Sequence, residues 1–298
     1  MHLGIALPFG DIGGDGPIVR EFVQLAEAEG YEGLTLADHV LGGNPANPAS
    51  GRAGGLGLFH DPFVAFGFIA ACTKKVELST QVLILAQRQT VLVAKQAASL
   101  DVLSGGRFRF GIGVGWNEME FVGLNENFHN RGKRSEEQVQ VIKALWANPY
   151  ITFEGKWHRL QDAGINPLPP RKIPLWFGGH MDVTLQRIAK WGDGWIMLSE
   201  PPGPKAVAEF DKLRRFVASE GRDPASVGLV AFMIILIATG ITTGHCPVRN
   251  YANGLLAFVG PIAQAPRPPF NQPDTREAGV VPREPGTACA GMALEGLR

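Results

Sequence analysis

From residue 2 to residue 235 the chain repeats one pattern, a short apolar run of strand character followed by a helical run. Seven strand-like segments (HLGIALP, GLTLADH, VELSTQVLIL, RFRFGIGVGW, IPLWFGG, DGWIMLSE and SVGLVAFMII) alternate with six helical ones. Repeated strand–helix units of this kind imply a parallel sheet covered by helices. Two architectures satisfy that implication, an open doubly wound sheet and a closed (β/α)8 barrel. A length of 298 residues suits a barrel of about 250 residues with insertions. The polar strand ends also favour the barrel, because ADH, GVGW and FGGH close different strands and the carboxyl ends of barrel strands converge on one mouth. The expected fold is an α/β TIM-type barrel over residues 1–239, followed by an atypical, incomplete end over residues 240–298.

Local signals support the helices. Ile18, Phe22, Leu25 and Ala26 share one helical stripe, and Gly30 stands where a C-terminal cap belongs. Asp61-Pro62 is a helix start, and Lys74 and Lys75 suit a helix C-terminus. The segment YITFEGKWHRLQDAGINPLPPRK breaks the alternation and reads as a small excursion. From Gly240 onward there are eight prolines and eight glycines in 59 residues. QAPRPPFNQPD can be neither a helix interior nor a central strand, so the tail is expected to be loose and partly disordered.

Composition narrows the function classes. Hydrophobic residues make up 45% and charged residues 19% of the chain, with a formal net charge of +0. Bulk electrostatic attraction to nucleic acid or to an acidic membrane is therefore not expected. No apolar run reaches the roughly 20 residues of a membrane span, and the N-terminus lacks the pattern of a signal peptide. Cys72, Cys246 and Cys289 are far apart and show no metal-ligand spacing. The expectation is a cytoplasmic protein with reduced thiols and no metal site.

Four stretches could carry chemistry. In GLTLADH, strand alternation puts Thr35, Ala37 and His39 on the barrel side and Leu34 and Leu36 against the helices. His39 is the last inward residue, where an imidazole can exchange protons or orient a ring system. Asp38, on the other phase, could fix that imidazole or cap the following loop. A hydrogen-bonded structural histidine is the competing reading.

In GIGVGW, Gly111, Gly113 and Gly115 share the inward face. Their spacing is not that of a dinucleotide fingerprint, and they lie within a strand. Missing side chains there leave either room for a planar ligand or a site of close packing. In WFGGHMDVTLQ, the amides of Gly179, His180 and Met181, following Gly178, sit at a helix N-terminus suited to a phosphate; an ordinary tight turn would look the same. The loop LGGNPANPASGRAGGLGL, directly after His39, has the length of a lid or a floppy insertion.

Taken together, LADHV, DPFVAFGFIAA, QAASLDVLSGGRFRFGIGVGWNEMEF, Arg131-Gly132 and WFGGH…WGDGW resemble the luciferase-like monooxygenase family over about His2 to Phe232. The resemblance implies a TIM barrel that binds FMN or the deazaflavin coenzyme F420. It implies that His39 lies against the ring, with Asp38 in the adjoining acidic position, and that a bulge with a non-proline cis peptide at Gln81–Val82 backs the ring. Gly113, Gly115 and Trp116 would line the cofactor, and Gly178, Gly179, His180 and Met181 would hold its phosphate. Two departures matter. Val114 stands where FMN-using relatives carry a phosphate-binding arginine, which leans toward coenzyme F420. Trp116 stands where deazaflavin-dependent sugar-phosphate dehydrogenases carry a catalytic glutamate.

The resemblance therefore implies hydride transfer between coenzyme F420 and a small organic substrate. The alternatives are FMN-dependent monooxygenation with reduced flavin from a partner reductase, or a non-catalytic flavin-binding relative with a defective barrel. Homodimerisation is implied because relatives often pair.

Overall fold

The computed structural model describes residues 2–44, 46–47, 57–197, 203–235 and 255–258, all of them within one compact unit, Met1–Ala263. In chain order the elements are β1 (Gly4–Ala6), α1 (Phe9–Ile12), α2 (Gly16–Ala28), β2 (Gly33–Leu36), α3 (Pro62–Cys72), β3 (Glu77–Thr80), β4 (Leu83–Ile84) and α4 (Thr90–Leu103). There follow β5 (Phe108–Gly113), α5 (Glu118–Gly123), α6 (Arg131–Ala147), β6 (Ile151–Glu154), β7 (Arg159–Ala163), β8 (Leu175–Gly178), α7 (Asp182–Trp191), β9 (Gly194–Met197), α8 (Pro204–Ser219), β10 (Gly228–Ile235) and β11 (Leu255–Phe258). All six expected helices form, and α1 and α5 are short additions in βα loops.

The strands close a ring. β1, β2, β3, β5, β8, β9 and β10 pair in parallel in that order. β11 then pairs antiparallel with both β10 and β1. This is a TIM-type barrel whose eighth strand runs backwards. The barrel expected over residues 1–239 gains a strand from Leu255–Phe258, and its atypical end takes the form of antiparallel closure. The order of the remaining tail lies outside the described residues. The excursion is an antiparallel hairpin, β6 with β7.

Parallel strands covered on both faces read as continuous apolar runs, and β2, β5 and β9 are buried along their whole length. The outward phase of β5 feeds the main core, where the Phe110 ring meets Trp146 of α6 at 5.7 Å. On the inward side β8, β9 and β10 supply a smaller cluster of Trp176, Ile196 and Val230. Arg109 lies over the Trp176 ring at 4.5 Å and pairs with Glu77, which satisfies its charge. On α2 the stripe turned inward is Val19, Val23 and Ala26, not Ile18 and Leu25, which are exposed. Both stripes are apolar, so periodicity alone could not choose between them. Caps fall as expected: Asp61 accepts from the amides of Phe63 and Val64, and Gly30 has φ +88°.

Candidate active site

The carboxyl ends of β2, β3, β5 and β8 lie on one rim because these strands are parallel and hydrogen-bonded in register. His39 follows β2, the Gln81–Val82 bond follows β3, Trp116 follows β5 and Gly179 follows β8. The Gln81–Val82 peptide is cis, and beyond it β4 resumes parallel pairing with β5.

His39 is held by a residue that the strand pattern did not single out. Its Nδ1 lies 3.1 Å from Glu120 Oε1, which also accepts from the amide of Val40 at 3.0 Å. Glu120 Oε2 accepts from Gln87 Nε2 at 3.0 Å. The carboxylate is 1% exposed, so its charge depends on these donors. The Nδ1–H is thereby committed to Glu120, and His39 Nε2 has no hydrogen-bond partner among the described residues. The ring meets Phe59 at 4.9 Å and Trp116 at 6.0 Å, both edge-on.

Asp38 does not share this role. Its Oδ2 accepts from the amide of Ile84 at 3.0 Å and from Arg88 Nε at 3.2 Å, while Oδ1 accepts from Arg88 Nη2 at 2.7 Å. Arg88 also bridges to Asp61 at 2.9 Å. Burial pulls the Arg88 guanidinium down, but the bonds to Asp38 and Asp61 outweigh it and hold its pKa above the ordinary value. Both oxygens of Asp38 are occupied in fixing the segment after β3, and among the described residues neither bonds the His39 imidazole that Asp38 was expected to fix.

The glycine ladder is a packing feature. A Cβ on Gly111 would lie 2.0 Å from the Thr80 carbonyl oxygen, one on Gly113 2.5 Å from Val82 Cγ2, and one on Gly115 2.6 Å from Ile84 Cγ2. Gly178 likewise abuts Val82, at 2.7 Å. The room left by Gly113 and Gly178 is therefore taken by Val82, not left as a slot beside the strand. At the next corner, Gly179 (φ +127°) accepts from Trp195 Nε1 at 2.7 Å, and His180 and Met181 are exposed before α7 begins. Asp182 in the first turn of α7 is paired with Lys212 at 3.0 Å.

A flavin-type ring requires donors and acceptors for its amide-like edge. Both side-chain polar atoms of Gln81 and the hydroxyl of Thr35 are buried with no hydrogen-bond partner. Buried polar groups are normally satisfied, so an unpaired amide and hydroxyl beneath the rim fit such an edge. The rest of the loop after His39, residues 45 and 48–56, lies outside the described residues.

The sequence profile of the luciferase-like monooxygenase family matches residues 1–242. Pyrimidine monooxygenase RutA of Bradyrhizobium sp. is 30% identical over 262 residues, covering 79% of this chain and 68% of that protein. Among solved structures, an F420-dependent secondary alcohol dehydrogenase in complex with an F420-acetone adduct superposes with a TM-score of 0.63 at 20% identity, covering 77% of this chain and 68% of the other. Riboflavin lyase with modified FMN and riboflavin gives a TM-score of 0.66 at 22% identity, covering 78% and 62%. At these identities the structural likeness establishes the fold.

Proposed function

Since the chain belongs to the luciferase-like monooxygenase family, we propose that it is an oxidoreductase that transfers hydride between coenzyme F420 and a small organic substrate. The observation that carries this reading is His39 fixed by the buried Glu120 carboxylate at the barrel rim. A carboxylate accepting Nδ1–H holds the imidazole in the tautomer whose Nε2 keeps its lone pair. Nε2 can then take the proton of a substrate hydroxyl, or return one to a carbonyl oxygen. Glu120 stabilises the imidazolium formed in between, as an acid does behind a catalytic histidine.

When bound, the deazaflavin supplies the two-electron chemistry, and the protein contributes position and dryness. Gln81 and Thr35 would hold the ring edge, Val82 would back it, and the Gly178–Met181 turn would meet the phosphate. Val114, in place of the arginine of FMN-using relatives, supports coenzyme F420. The RutA match favours a second reading, FMN-dependent monooxygenation with reduced flavin supplied by a partner reductase.

Titrating the purified protein with oxidised coenzyme F420 and with FMN, followed by cofactor fluorescence, separates the two. The expected result is saturable binding of coenzyme F420. Tight binding of FMN alone would eliminate the deazaflavin reading.

A further inference from the structure

We infer that the rim around His39 receives an uncharged aromatic compound bearing a hydroxyl group, an assignment that rests on the oxidoreductase reading above and names its substrate class. Val40, Leu41, Leu58, Phe59 and Trp116 all leave large apolar surface exposed, with Phe59 45% and Trp116 59% exposed. Scattered exposed apolar residues need no explanation, but exposed aromatic rings gathered on one imidazole mark a binding surface. Two of them, Phe59 and Trp116, already stand edge-on to the His39 ring, at 4.9 and 6.0 Å.

This wall is built and anchored on both sides. The amides of Val40 and Leu41 bond Glu120, and Leu41 Cδ1 sits where Gly123 has no side chain. On the other side, His60 Nε2 bonds the Gly14 carbonyl at 2.8 Å, and Leu58 Cδ2 packs into the space beside Gly14. Phe59 is thus held between two fixed neighbours. Ordered aromatic faces recognise a flat guest through stacked or edge-to-face contact.

Charge argues against an anionic guest. Arg88 is engaged by Asp38 and Asp61, Arg131 by the carbonyls of Gly115 and Phe128, and Arg134 by Glu126 and the Ala86 carbonyl. Arg88 and Arg134 are thus neutralised by carboxylates, Arg131 is turned onto two carbonyls and the Phe128 ring at 3.7 Å, and the exposed Glu118 would repel an anion. The hydroxyl requirement follows from His39. With Nδ1–H given to Glu120, Nε2 is an acceptor, and its complement is an O–H donor.

The test is binding to the full chain, with and without oxidised coenzyme F420, measured by ligand-observed NMR and by tryptophan fluorescence. The probes are 1-phenylethanol, its methyl ether and 4-(1-hydroxyethyl)benzoate. The alcohol is expected to bind, the ether and the benzoate about tenfold more weakly, and Phe59→Ala and Trp116→Ala to weaken the alcohol by roughly three- to tenfold each. His39→Phe, which keeps an aromatic ring but no acceptor, is expected to abolish the preference for alcohol over ether. Equal or tighter binding of the benzoate overturns the uncharged class, and equal binding of the ether overturns the hydroxyl requirement. Unchanged affinity in both ring variants removes the aromatic wall. Cofactor binding without any alcohol binding overturns this assignment and leaves the oxidoreductase reading standing. Absence of cofactor binding, read from the cofactor's own fluorescence, strikes the earlier reading instead.

Discussion

His39 Nδ1 and Glu120 Oε1 lie 3.1 Å apart, although 81 positions separate the two residues in sequence. The carboxylate comes from the short helix α5, and the imidazole comes from the end of β2. Glu120→Gln keeps an acceptor for Nδ1–H but removes the charge that stabilises an imidazolium. Turnover is expected to fall on the order of 10²-fold, the scale of positioned acid–base groups, while ¹⁵N NMR of His39 still shows the Nδ1–H tautomer. Glu120→Ala is expected to mix the tautomers. Full turnover in Glu120→Gln would show that the carboxylate only anchors the loop.

Asp38 and Arg88 make the opposite prediction. Their bidentate pair is buried and tied to the Ile84 amide, so removing one partner strands the other. Arg88→Ala leaves the Asp38 charge without its cation and is expected to cost roughly 3–5 kcal/mol, read as a lower denaturant midpoint. Asp38→Asn keeps one acceptor and is expected to cost less. Loss of turnover in Asp38→Asn with unchanged stability and cofactor binding would place Asp38 in the chemistry.

These two acids explain how much of the site was legible. The rim itself was readable, because the alternation of elements put the ends of the parallel strands on one side, although His39 lies past the end of β2, where strand periodicity no longer applies. Asp38 is adjacent to His39 in sequence, which suggests a shared role, whereas its hydrogen-bond partner Arg88 is fifty residues away. Glu120 was hidden. Asn117 and Glu120 have the spacing of a helix N-terminal capping box, which would explain the acid as a cap on α5, yet Asn117 makes no side-chain cap bond and Glu120 turns to His39. A usable signal existed in MEF, where Glu120 sits between two large apolar residues. The antiparallel β11 was illegible for another reason: LLAF is four residues within a stretch rich in glycine and proline and without strand–helix alternation.

The glycines of β5 rank their own substitutions. In Gly113→Ala the new Cβ meets Val82 Cγ2, the movable end of a side chain, so the expected cost is the about 1–3 kcal/mol of overpacking. In Gly111→Ala it would lie 2.0 Å from the Thr80 carbonyl oxygen. That carbonyl belongs to a paired strand, and the Thr80 hydroxyl already bridges the Gly111 amide and carbonyl. The neighbour cannot yield, and Gly111→Ala is expected to lose much more stability than Gly113→Ala. Denaturant midpoints of the two variants decide it. Similar midpoints would mean that β3 and β5 are not in the register described.

The hairpin β6–β7 gives a prediction in pH. Glu137 on α6 accepts from the amides of Lys156, Trp157 and His158, each at 2.8 Å, and from His158 Nδ1 at 2.8 Å. His158 Nε2 in turn meets the Thr90 hydroxyl at the start of α4. Burial pushes the Glu137 carboxyl up, but the bonds from Trp157, His158 and Lys156 together outweigh it and hold its pKa below the ordinary value. A carboxyl lowered in the folded state binds fewer protons there than in the unfolded chain. Its stabilisation is therefore complete above the unfolded value of about 4.3 and is lost as the pH falls through the folded value. Glu137→Gln is expected to be less stable than the parent chain at neutral pH, with the gap narrowing below about pH 4.3. Urea midpoints from neutral pH down into that acid range measure the gap, and limited proteolysis at the 155–158 turn reports whether the hairpin is the part released. A gap that stays constant across the range would mean that the Glu137 charge does not hold the hairpin to α6.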